Sequence, residues 1–253
     1  MGLFDSHAHY YDEQFEVDGD ELLKSMPKSG VDYIVTCPST PEQSRESLRI
    51  AERYPYVYAA VGIHPQDCGP YDISALEDIR KLSKHPKCVA IGEIGLDYYY
   101  ENASREKQKN WFREQCILAN EVDKPVIVHD RDSHADTLAV LKDTKPRGVV
   151  HCFSGSIEMA DELLKMGFYI SFTGVITFKN AKKAVEVVAH MPLDRLMIET
   201  DSPYLAPEPL RGTRNDSRNV RLVAQKIAEI RGISFEEVAD CTTENAKRLF
   251  GIR

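Results

Sequence analysis

The chain has 253 residues, of which 42% are hydrophobic and 28% are charged, so it is long enough to bury a sizeable core. Asp and Glu number 40 against 32 Lys and Arg, which gives a formal net charge of −8 at pH 7. This composition excludes a disordered or fibrous chain, and the negative charge excludes nucleic-acid binding through bulk positive charge. Any polyanion must be held locally, by a metal ion or a small group of arginines.

The sequence predicts neither a membrane protein nor a secreted one. No apolar run approaches the roughly 18–20 residues that span a bilayer. The N-terminal sequence has no basic region followed by an apolar one, as a secretory signal would. Six scattered cysteines without a C-x-x-C pair predict reduced, mostly buried thiols and a cytoplasmic location.

Short apolar runs alternate with segments of helical spacing along the whole chain. Such runs are typical of parallel strands covered on both faces. The predicted strands are Leu3–His9, Val31–Cys37, Val57–Ile63, Cys88–Leu96, Val126–His129, Gly148–Phe153, Phe168–Thr173 and Leu196–Thr200. The predicted helices lie near residues 19–29, 41–53, 72–84, 104–121, 133–143, 156–166 and 179–190, and, after a proline-rich loop, near 217–231 and 234–250.

Eight strand–helix units predict a closed parallel barrel, so the fold class is α/β, a (β/α)8 TIM barrel with C-terminal helices. An open doubly wound sheet is the rival, but the phosphate-binding G-x-G-x-x-G that would support it after the first strand is absent. No break in composition suggests a second domain, so residues 1–253 are predicted to form one domain.

Histidines concentrate at the carboxyl ends of the predicted strands. Five of the eight lie there, whereas chance would place about one, and this end of a barrel carries the active site. The five are His7, His9, His64, His129 and His151.

Carboxylates join these histidines. Asp5, His7 and His9 are spaced by two, so their side chains are expected on one side of a strand. Glu93 interrupts an apolar strand, where a carboxylate is costly unless it is paired or binds metal, and the neighbouring Gly92 and Gly95 are expected to leave room for a bulky group beside it. Asp201 ends the last apolar run, and Glu199 shares its face of the strand.

Four imidazoles and two carboxylates exceed the ligands that one ion usually takes, so the sequence predicts two divalent ions. We expect His7, His9 and Asp201 on one ion, His129 and His151 on the other, and Glu93 as the bridge. A two-metal site stabilises both the attacking and the leaving oxygen of a displacement, which points to hydrolysis. Imidazole-rich coordination favours zinc, manganese or iron, whereas magnesium prefers oxygen ligands, so the residues leave the identity of the ions (Mg, Mn or Zn) open.

Six local motifs carry these residues in a recognisable order. They are Phe4-Asp-Ser-His-Ala-His9, Gly62-Ile-His-Pro65, Gly92-Glu-Ile-Gly-Leu-Asp-Tyr98, His129-Asp-Arg-Asp132, His151-Cys-Phe-Ser-Gly155 and Glu199-Thr-Asp-Ser-Pro-Tyr204. With these motifs the chain resembles the TatD family of metal-dependent deoxyribonucleases, within the amidohydrolase-like barrels, over residues 3–251.

The resemblance implies a TIM-type barrel, divalent metal dependence and hydrolysis of DNA phosphodiesters, often from the 3′ end of single strands. The positions that match the family's metal ligands are His7, His9, Glu93, His129, His151 and Asp201. His64 matches a site histidine near the scissile phosphate. We expect a metal-bound hydroxide to attack the phosphorus, and His64 to steady or protonate the developing oxyanion. Asp201 is expected to orient or deprotonate the water, and Glu199 matches an acidic residue near the metals, with its role left open.

Substrate contacts are predicted in two places. Arg211 and Arg214 follow the last strand, where barrels often bind phosphate, and a guanidinium matches phosphate oxygens bidentately. Tyr98, with Tyr99 and Tyr100, follows the strand of Glu93 and is a candidate for stacking on nucleobases.

Two other functions remain open from the sequence. The same metal centre can hydrolyse an ester, amide or lactone, for example the ester of an aminoacylated tRNA. The second alternative is a metal-loaded barrel that binds a partner without catalysis. It predicts that at least one metal-ligand position has lost its ligand residue, and every such position here keeps one. The sequence leaves the oligomeric state undetermined.

Overall fold

Eight parallel strands pair in chain order within residues 2–100 and 102–253, which the computed structural model describes. They are β1 Leu3–Ala8, β2 Val31–Thr36, β3 Val57–Val61, β4 Cys88–Asp97, β5 Val126–Arg131, β6 Gly148–Val150, β7 Tyr169–Phe172 and β8 Leu196–Ile198. The predicted TIM barrel is confirmed.

Helices follow the strands and cover the outside of the barrel. They are α1 Gly19–Ser25, α2 Pro41–Arg53, α3 Ala75–Leu82, α4 Arg105–Glu121, α5 His134–Thr144, α6 Ile157–Lys165, α7 Lys182–His190, α8 Val220–Arg231 and α9 Phe235–Phe250. The helix predicted near 19–29 ends in a 3-10 turn, Met26–Ser29, and the helix predicted near 217–231 begins with one, Ser217–Asn219. Within the described ranges, every helix is too short or too polar to cross a bilayer.

Several strands end at different residues from those predicted, and the differences shape the mouth of the barrel. β6 ends at Val150 and β8 at Ile198, so His151 and Asp201 lie beyond the paired ladder. β4 and β5 instead continue to Asp97 and Arg131, because Asp97 pairs with Arg131 across the two strands. The apolar run in the sequence therefore predicts where a strand lies, but the residue at which the strand ends depends on its pairing with the neighbouring strand.

Residues after β8 close the barrel against β1. The amide of Asp201 donates to the carbonyl of His7 at 2.9 Å, and the amide of His9 donates to the carbonyl of Ser202 at 2.7 Å. These bonds hold the segment that carries Asp201 beside the histidines of β1.

The barrel interior is filled below the mouth. Each strand contributes a buried side chain to one cluster, against which Leu249 and Phe250 of α9 pack. The contributing residues, in strand order, are Phe4, Val35, Ala60, Ala90, Ile127, Val149, Tyr169 and Met197. This layer separates the polar mouth from the amino end of the barrel.

The glycines beside Glu93 serve backbone packing, and the expectation that they leave room for a bulky group is wrong. A Cβ on Gly95 would collide with the carbonyl oxygen of His129, and a Cβ on Gly92 would lie 2.8 Å from Cβ of Ile127. Gly95 also has a φ of +141°, which side chains rarely adopt. β4 and β5 can therefore approach closely only because these positions lack a side chain.

Replacement of Gly95 by alanine tests this packing. Overpacking costs about 1–3 kcal/mol, and the positive φ adds about 1 kcal/mol, so we expect G95A to lower the free energy of unfolding by about 3 kcal/mol, measured by urea denaturation. Gly167 provides the matched control, because its φ is +84° but a Cβ there meets no described atom within 4 Å. G167A should cost about 1 kcal/mol, and equal losses in the two variants would contradict the collision.

Candidate metal centre

The predicted metal ligands meet at the carboxyl mouth of the barrel. His7 lies on β1 with His9 directly after it, Glu93 lies on β4 and His129 on β5. His151 and Asp201 follow β6 and β8. Most of these side chains border one cavity of about 1000 Å³, here called the mouth cavity. These six residues are called the candidate metal centre below.

The carboxylate of Glu93 stands at the middle of the centre, and its two oxygens face different imidazoles. Oε1 lies 2.8 Å from both His129 Nδ1 and His151 Nε2. Oε2 lies 3.2 Å from His7 Nε2 and 3.9 Å from His9 Nε2. This arrangement is that of a carboxylate positioned between two ligand groups.

Asp201 completes the group on the side of Oε2. Its Oδ1 lies 3.0 Å from His9 Nε2 and 3.6 Å from His7 Nε2, while the two Nε2 atoms are 3.2 Å apart. Asp201 adopts a left-handed backbone with φ of +58°, which is uncommon for an aspartate and is typical of functional positions. The grouping of His7, His9 and Asp201 therefore agrees with the sequence-based expectation.

Hydrogen bonds from the outer nitrogens orient three of the imidazoles. His9 Nδ1 donates to the carbonyl of Cys37 at 2.6 Å, and His129 Nε2 donates to Asp97 Oδ2 at 3.1 Å. His151 Nδ1 lies 3.3 Å from Glu199 Oε1, which also accepts the amide of Cys152 at 2.7 Å. In each neutral ring the inner nitrogen is then left with a lone pair that points into the centre.

These lone pairs provide the test of whether the residues fit a metal. Two inner nitrogens and Oε1 of Glu93 would present only lone pairs to one another at 2.8 Å, which is repulsive unless a proton or a cation lies between them. In the described residues, three sets of side chains each have their ligand atoms within 4.8 Å of one another: His7 with His9 and Asp201, His7 with Glu93 and His151, and His64 with Glu93 and His129. The side chains present therefore fit divalent metal binding.

The pKa values show how strongly the centre favours positive charge. Burial alone would raise the pKa of Glu93, but the nearby imidazoles of His151, His64 and His7 lower it well below its usual range. Burial would lower the pKa of His151, yet Glu93 and Glu199 raise it well above the usual value. A cation bound here takes the place of these protons.

His64 differs from the other histidines in its hydrogen bonding. Its Nδ1 accepts the amide of Gln66 at 3.2 Å, so a neutral ring carries its proton on Nε2. That Nε2 lies 3.5 Å from Oε1 of Glu93. Burial lowers the pKa of His64 although Glu93 opposes this, which favours the neutral ring. His64 therefore presents a hydrogen-bond donor to the centre.

Asp97 is the site residue that the sequence analysis missed. Besides His129, its Oδ2 accepts Nε2 of Gln66 at 2.5 Å, and its Oδ1 accepts the amides of Tyr99 and Tyr100 at 3.0 and 3.2 Å. Its side chain is buried, and despite that burial the hydrogen bond from His129 lowers its pKa. One signal was available: Asp97 lies four residues after Glu93 on the same strand, with the same side-chain parity.

Asp5 lies outside the ligand groups although it shares the spacing of His7 and His9. The register of β1 against β2 shifts between Asp5 and Ala8, which separates Asp5 from the face of the histidines. Its carboxylate accepts the amide and the hydroxyl of Thr200 at 2.9 and 2.6 Å, and burial raises its pKa to about 7. Asp5 thus holds the segment between Glu199 and Asp201 in place.

The structure places Arg211, Arg214 and Tyr98 away from the mouth cavity, whereas His64 and Tyr100, which were also predicted to contact substrate, border it. Arg214 forms a bidentate pair with Asp18 at 2.7 and 2.6 Å, and the guanidinium of Arg211 lies 4.3 Å from the ring centre of Phe178. The hydroxyl of Tyr98 donates to Asp136 at 2.6 Å. Partners from distant segments orient these side chains, and the loop sequence does not show those partners.

Other cations border the mouth cavity instead. Arg131, Lys182 and Lys183 contribute to its wall, together with Tyr100 and Tyr204. The guanidinium of Arg131 lies 3.9 Å from the ring centre of Tyr99 and 5.1 Å from that of Tyr100, within the range of a cation–π contact. The wall therefore combines positive charge with partly exposed aromatic rings.

Comparisons with known proteins agree with this site. A family model described as "TatD related DNase" matches residues 4–251. The chain is 46% identical to "Uncharacterized metal-dependent hydrolase YabD" of Bacillus subtilis (strain 168) over 253 residues, which cover 99% of each protein. It is 33% identical to "3'-5' ssDNA/RNA exonuclease TatD" of Citrobacter rodentium (strain ICC168) over 99% of this chain and 98% of that protein.

A solved structure supports the same assignment. The crystal structure of YJJV, a TatD homologue from Escherichia coli K12, superposes with a TM-score of 0.93 at 31% identity and covers 99% of this chain and 98% of that one. With the family model spanning nearly the whole chain and both relatives above 30% identity, the chain belongs to the TatD family of metal-dependent hydrolases.

Proposed function

We propose that this hydrolase cleaves phosphodiester bonds of DNA and removes nucleotides from the 3′ ends of single strands, using two divalent ions. The observation that carries the proposal is the placement of the two Glu93 oxygens, each facing its own group of imidazoles at the open end of the barrel. The name of the Citrobacter rodentium relative supports this choice of substrate. Six free cysteines, four of them buried, favour the reducing cytoplasm as its location.

In this proposal the six residues of the candidate metal centre hold two ions. His7, His9 and Asp201 would hold the first, His129 and His151 the second, and Glu93 would contribute one oxygen to each. Divalent ions bound there would supply positive charge to the phosphate oxygens and lower the pKa of a water molecule.

The protein residues then have distinct roles. The Asp201 side chain is 15% exposed at the cavity, so its carboxylate can accept a hydrogen bond from the attacking water and orient it. The hydrogen bond from His9 outweighs burial and lowers the pKa of Asp201, which keeps the carboxylate ionised. His64 presents its Nε2 proton to the centre and can donate it to an oxygen that gains charge in the transition state.

The cations of the cavity wall are the proposed phosphate contacts. Lys182 and Lys183 begin α7 and Arg131 ends β5, and all three border the mouth cavity. Phosphates of a strand would lie between them, and bases can stack on Tyr100 or Tyr204, which are 44% and 48% exposed. This local grip agrees with a chain whose net charge is negative.

Substitution of Glu93 tests the function directly. In E93Q the shared carboxylate loses its charge, so we expect loss of at least one bound ion and a fall in kcat on single-stranded DNA of about a thousandfold, equivalent to roughly 4 kcal/mol. Metal content is measured by mass spectrometry after loading with magnesium, manganese or zinc, and activity is compared with an EDTA-treated sample.

The matched control is E46Q, because Glu46 lies on α2 and its half-exposed side chain pairs only with Arg49 in the described structure. Activity of E93Q equal to that of E46Q would contradict the proposed centre. Turnover of aryl esters or lactones without turnover of DNA would instead favour ester hydrolysis by the same centre.

Substitution of Asp97 tests its role in orienting His129. D97N keeps the size of the side chain but weakens the acceptor of the His129 proton, so we expect metal affinity to fall about 10–100-fold. Saturating metal should restore much of kcat, because Asp97 itself holds no ion. Metal binding is measured by competition with a chelating dye. Unchanged affinity, or a kcat that excess metal does not restore, would contradict this role.

Substitution of the wall cations tests the substrate path. We expect K182Q/K183Q to raise KM for single-stranded DNA about tenfold, with a smaller effect on kcat, and to reduce the salt dependence of binding by about one to two phosphate contacts. R214Q provides the comparison, because Asp18 already neutralises Arg214. A larger rise in KM for R214Q than for K182Q/K183Q would contradict this path and would indicate that the loop after β8 contacts the phosphate instead.

A further inference from the structure

A second cavity lies at the amino end of the barrel, opposite the candidate metal centre. Its volume is about 460 Å³, and it is here called the basal cavity. Lys124 stands just before β5, Arg147 directly before β6 and Arg195 directly before β8, and Arg248 comes from the last turn of α9. Four separate segments of the chain thus each place one cationic side chain in the wall of the basal cavity.

The basal cavity is positively charged although the whole chain is negative. Its described wall contains four cationic side chains and one carboxylate, that of Asp123, whose side chain is 96% exposed. A cluster of this composition attracts anions without help from a metal ion.

Neutral groups, more than carboxylates, hold these cations in place. Lys124 Nζ donates to the carbonyl of Cys88 at 2.7 Å, and Arg147 Nη2 donates to the carbonyl of Asp123 at 2.7 Å, with the Asp123 carboxylate at 3.3 Å. Carbonyl oxygens orient a cation but leave its net charge in place, so most of this charge is available to a ligand.

Tyr169 lies beside the two remaining arginines. Its buried ring lies 5.1 Å from the guanidinium of Arg195, and its side chain raises the pKa of Arg248. Contact with an aromatic ring, like a carbonyl, leaves the charge of a guanidinium in place. Asp194 lies close enough to act on Arg248 electrostatically, but it does not line the cavity.

The rest of the wall is apolar. Val89, Leu249 and Phe250 contribute to it, and each of them is more than nine-tenths buried. A cavity of about 460 Å³ falls in the usual range for a small-molecule site, roughly 300–1000 Å³. It is too small for a folded partner, and its cations are concentrated around one opening.

We propose that the basal cavity binds a small phosphomonoester, with the phosphate held by the arginines and an uncharged organic part against the apolar wall. Guanidinium groups bind phosphate oxygens bidentately, and a phosphomonoester carries roughly −1.5 to −2 charges at pH 7 against −1 for a carboxylate. A wall with four cations therefore favours the phosphate. A nucleoside monophosphate combines a phosphate of this charge with a flat, uncharged base that can pack against the apolar wall. The proposal does not depend on the reaction at the metal centre.

Calorimetric titration with thymidine 5′-monophosphate tests the proposal, with inorganic phosphate and thymidine titrated as the separate halves of the ligand. The E93Q variant is used as the background, so that binding at the metal centre is distinguished from binding at the basal cavity. We expect saturable binding of the monophosphate in both the unsubstituted protein and E93Q, with weaker binding of phosphate and none of thymidine.

R195Q/R248Q should weaken this binding at least about tenfold, because the substitutions remove two of the four cations that can form charge-assisted hydrogen bonds with the phosphate. The matched control is R49Q, since Arg49 is an exposed arginine on α2 that pairs with Glu46 and lines neither cavity. It should bind like the unsubstituted protein.

Several results would overturn the proposal: no saturable binding up to about 1 mM, equal binding in R195Q/R248Q and R49Q, or binding that E93Q abolishes. Equal affinity for inorganic phosphate and the monophosphate would overturn the role of the apolar wall. If circular dichroism shows that R195Q/R248Q does not fold, R147Q decides, because the Arg147 side chain is 49% exposed and can be replaced without disturbing the core. Unchanged affinity in R147Q would then overturn the proposal.

Discussion

A single buried carboxylate, that of Glu93, is the constraint on which the rest of the structure depends. Its side chain is 4% exposed, and imidazole nitrogens approach both of its oxygens. A buried charge is tolerated only where opposite charge and hydrogen bonds compensate for it. The compensating groups come from strands far apart in the sequence, so the barrel must close correctly before the charge is balanced. Correct folding and metal binding are therefore two parts of one requirement.

The backbone around Glu93 is built to meet that requirement. Gly95 lets β4 lie directly against the backbone of His129, and this close approach brings the His129 ring to Oε1 of Glu93. Asp97, further along the same strand, then accepts the outer proton of that ring. β4 thus supplies the central carboxylate, the glycine that lets β5 approach closely, and the acceptor that orients the His129 side chain.

The fold, and the place of the six candidate metal ligands at the mouth, could be predicted from the sequence because both follow from the regular alternation of strands and helices. Alternating strands and helices place every carboxyl strand end on one rim, so a histidine or carboxylate at such an end is recognisable from its position alone. The roles of Asp97 and Arg214 depend on contacts that the pattern does not contain. Asp97 reaches its partner only through the register of β4 against β5. Arg214 is neutralised by Asp18, which lies 196 residues away in the chain. The spacing from Glu93 places Asp97 on the same face of the strand, but it does not identify His129 as the partner of Asp97. No local spacing connects Arg214 with Asp18.

The two ends of the barrel solve the problem of binding an anion in opposite ways. At the mouth, the carboxylates of Glu93 and Asp201 border the cavity, and those of Asp97 and Glu199 lie behind its histidines. The imidazoles compensate for part of this negative charge, and divalent ions bound to them would supply the positive charge that a phosphate needs. We therefore expect the affinity of the mouth for an anion to depend on bound metal. At the amino end, carbonyls and an aromatic ring position the cations, so the positive charge is present without any metal.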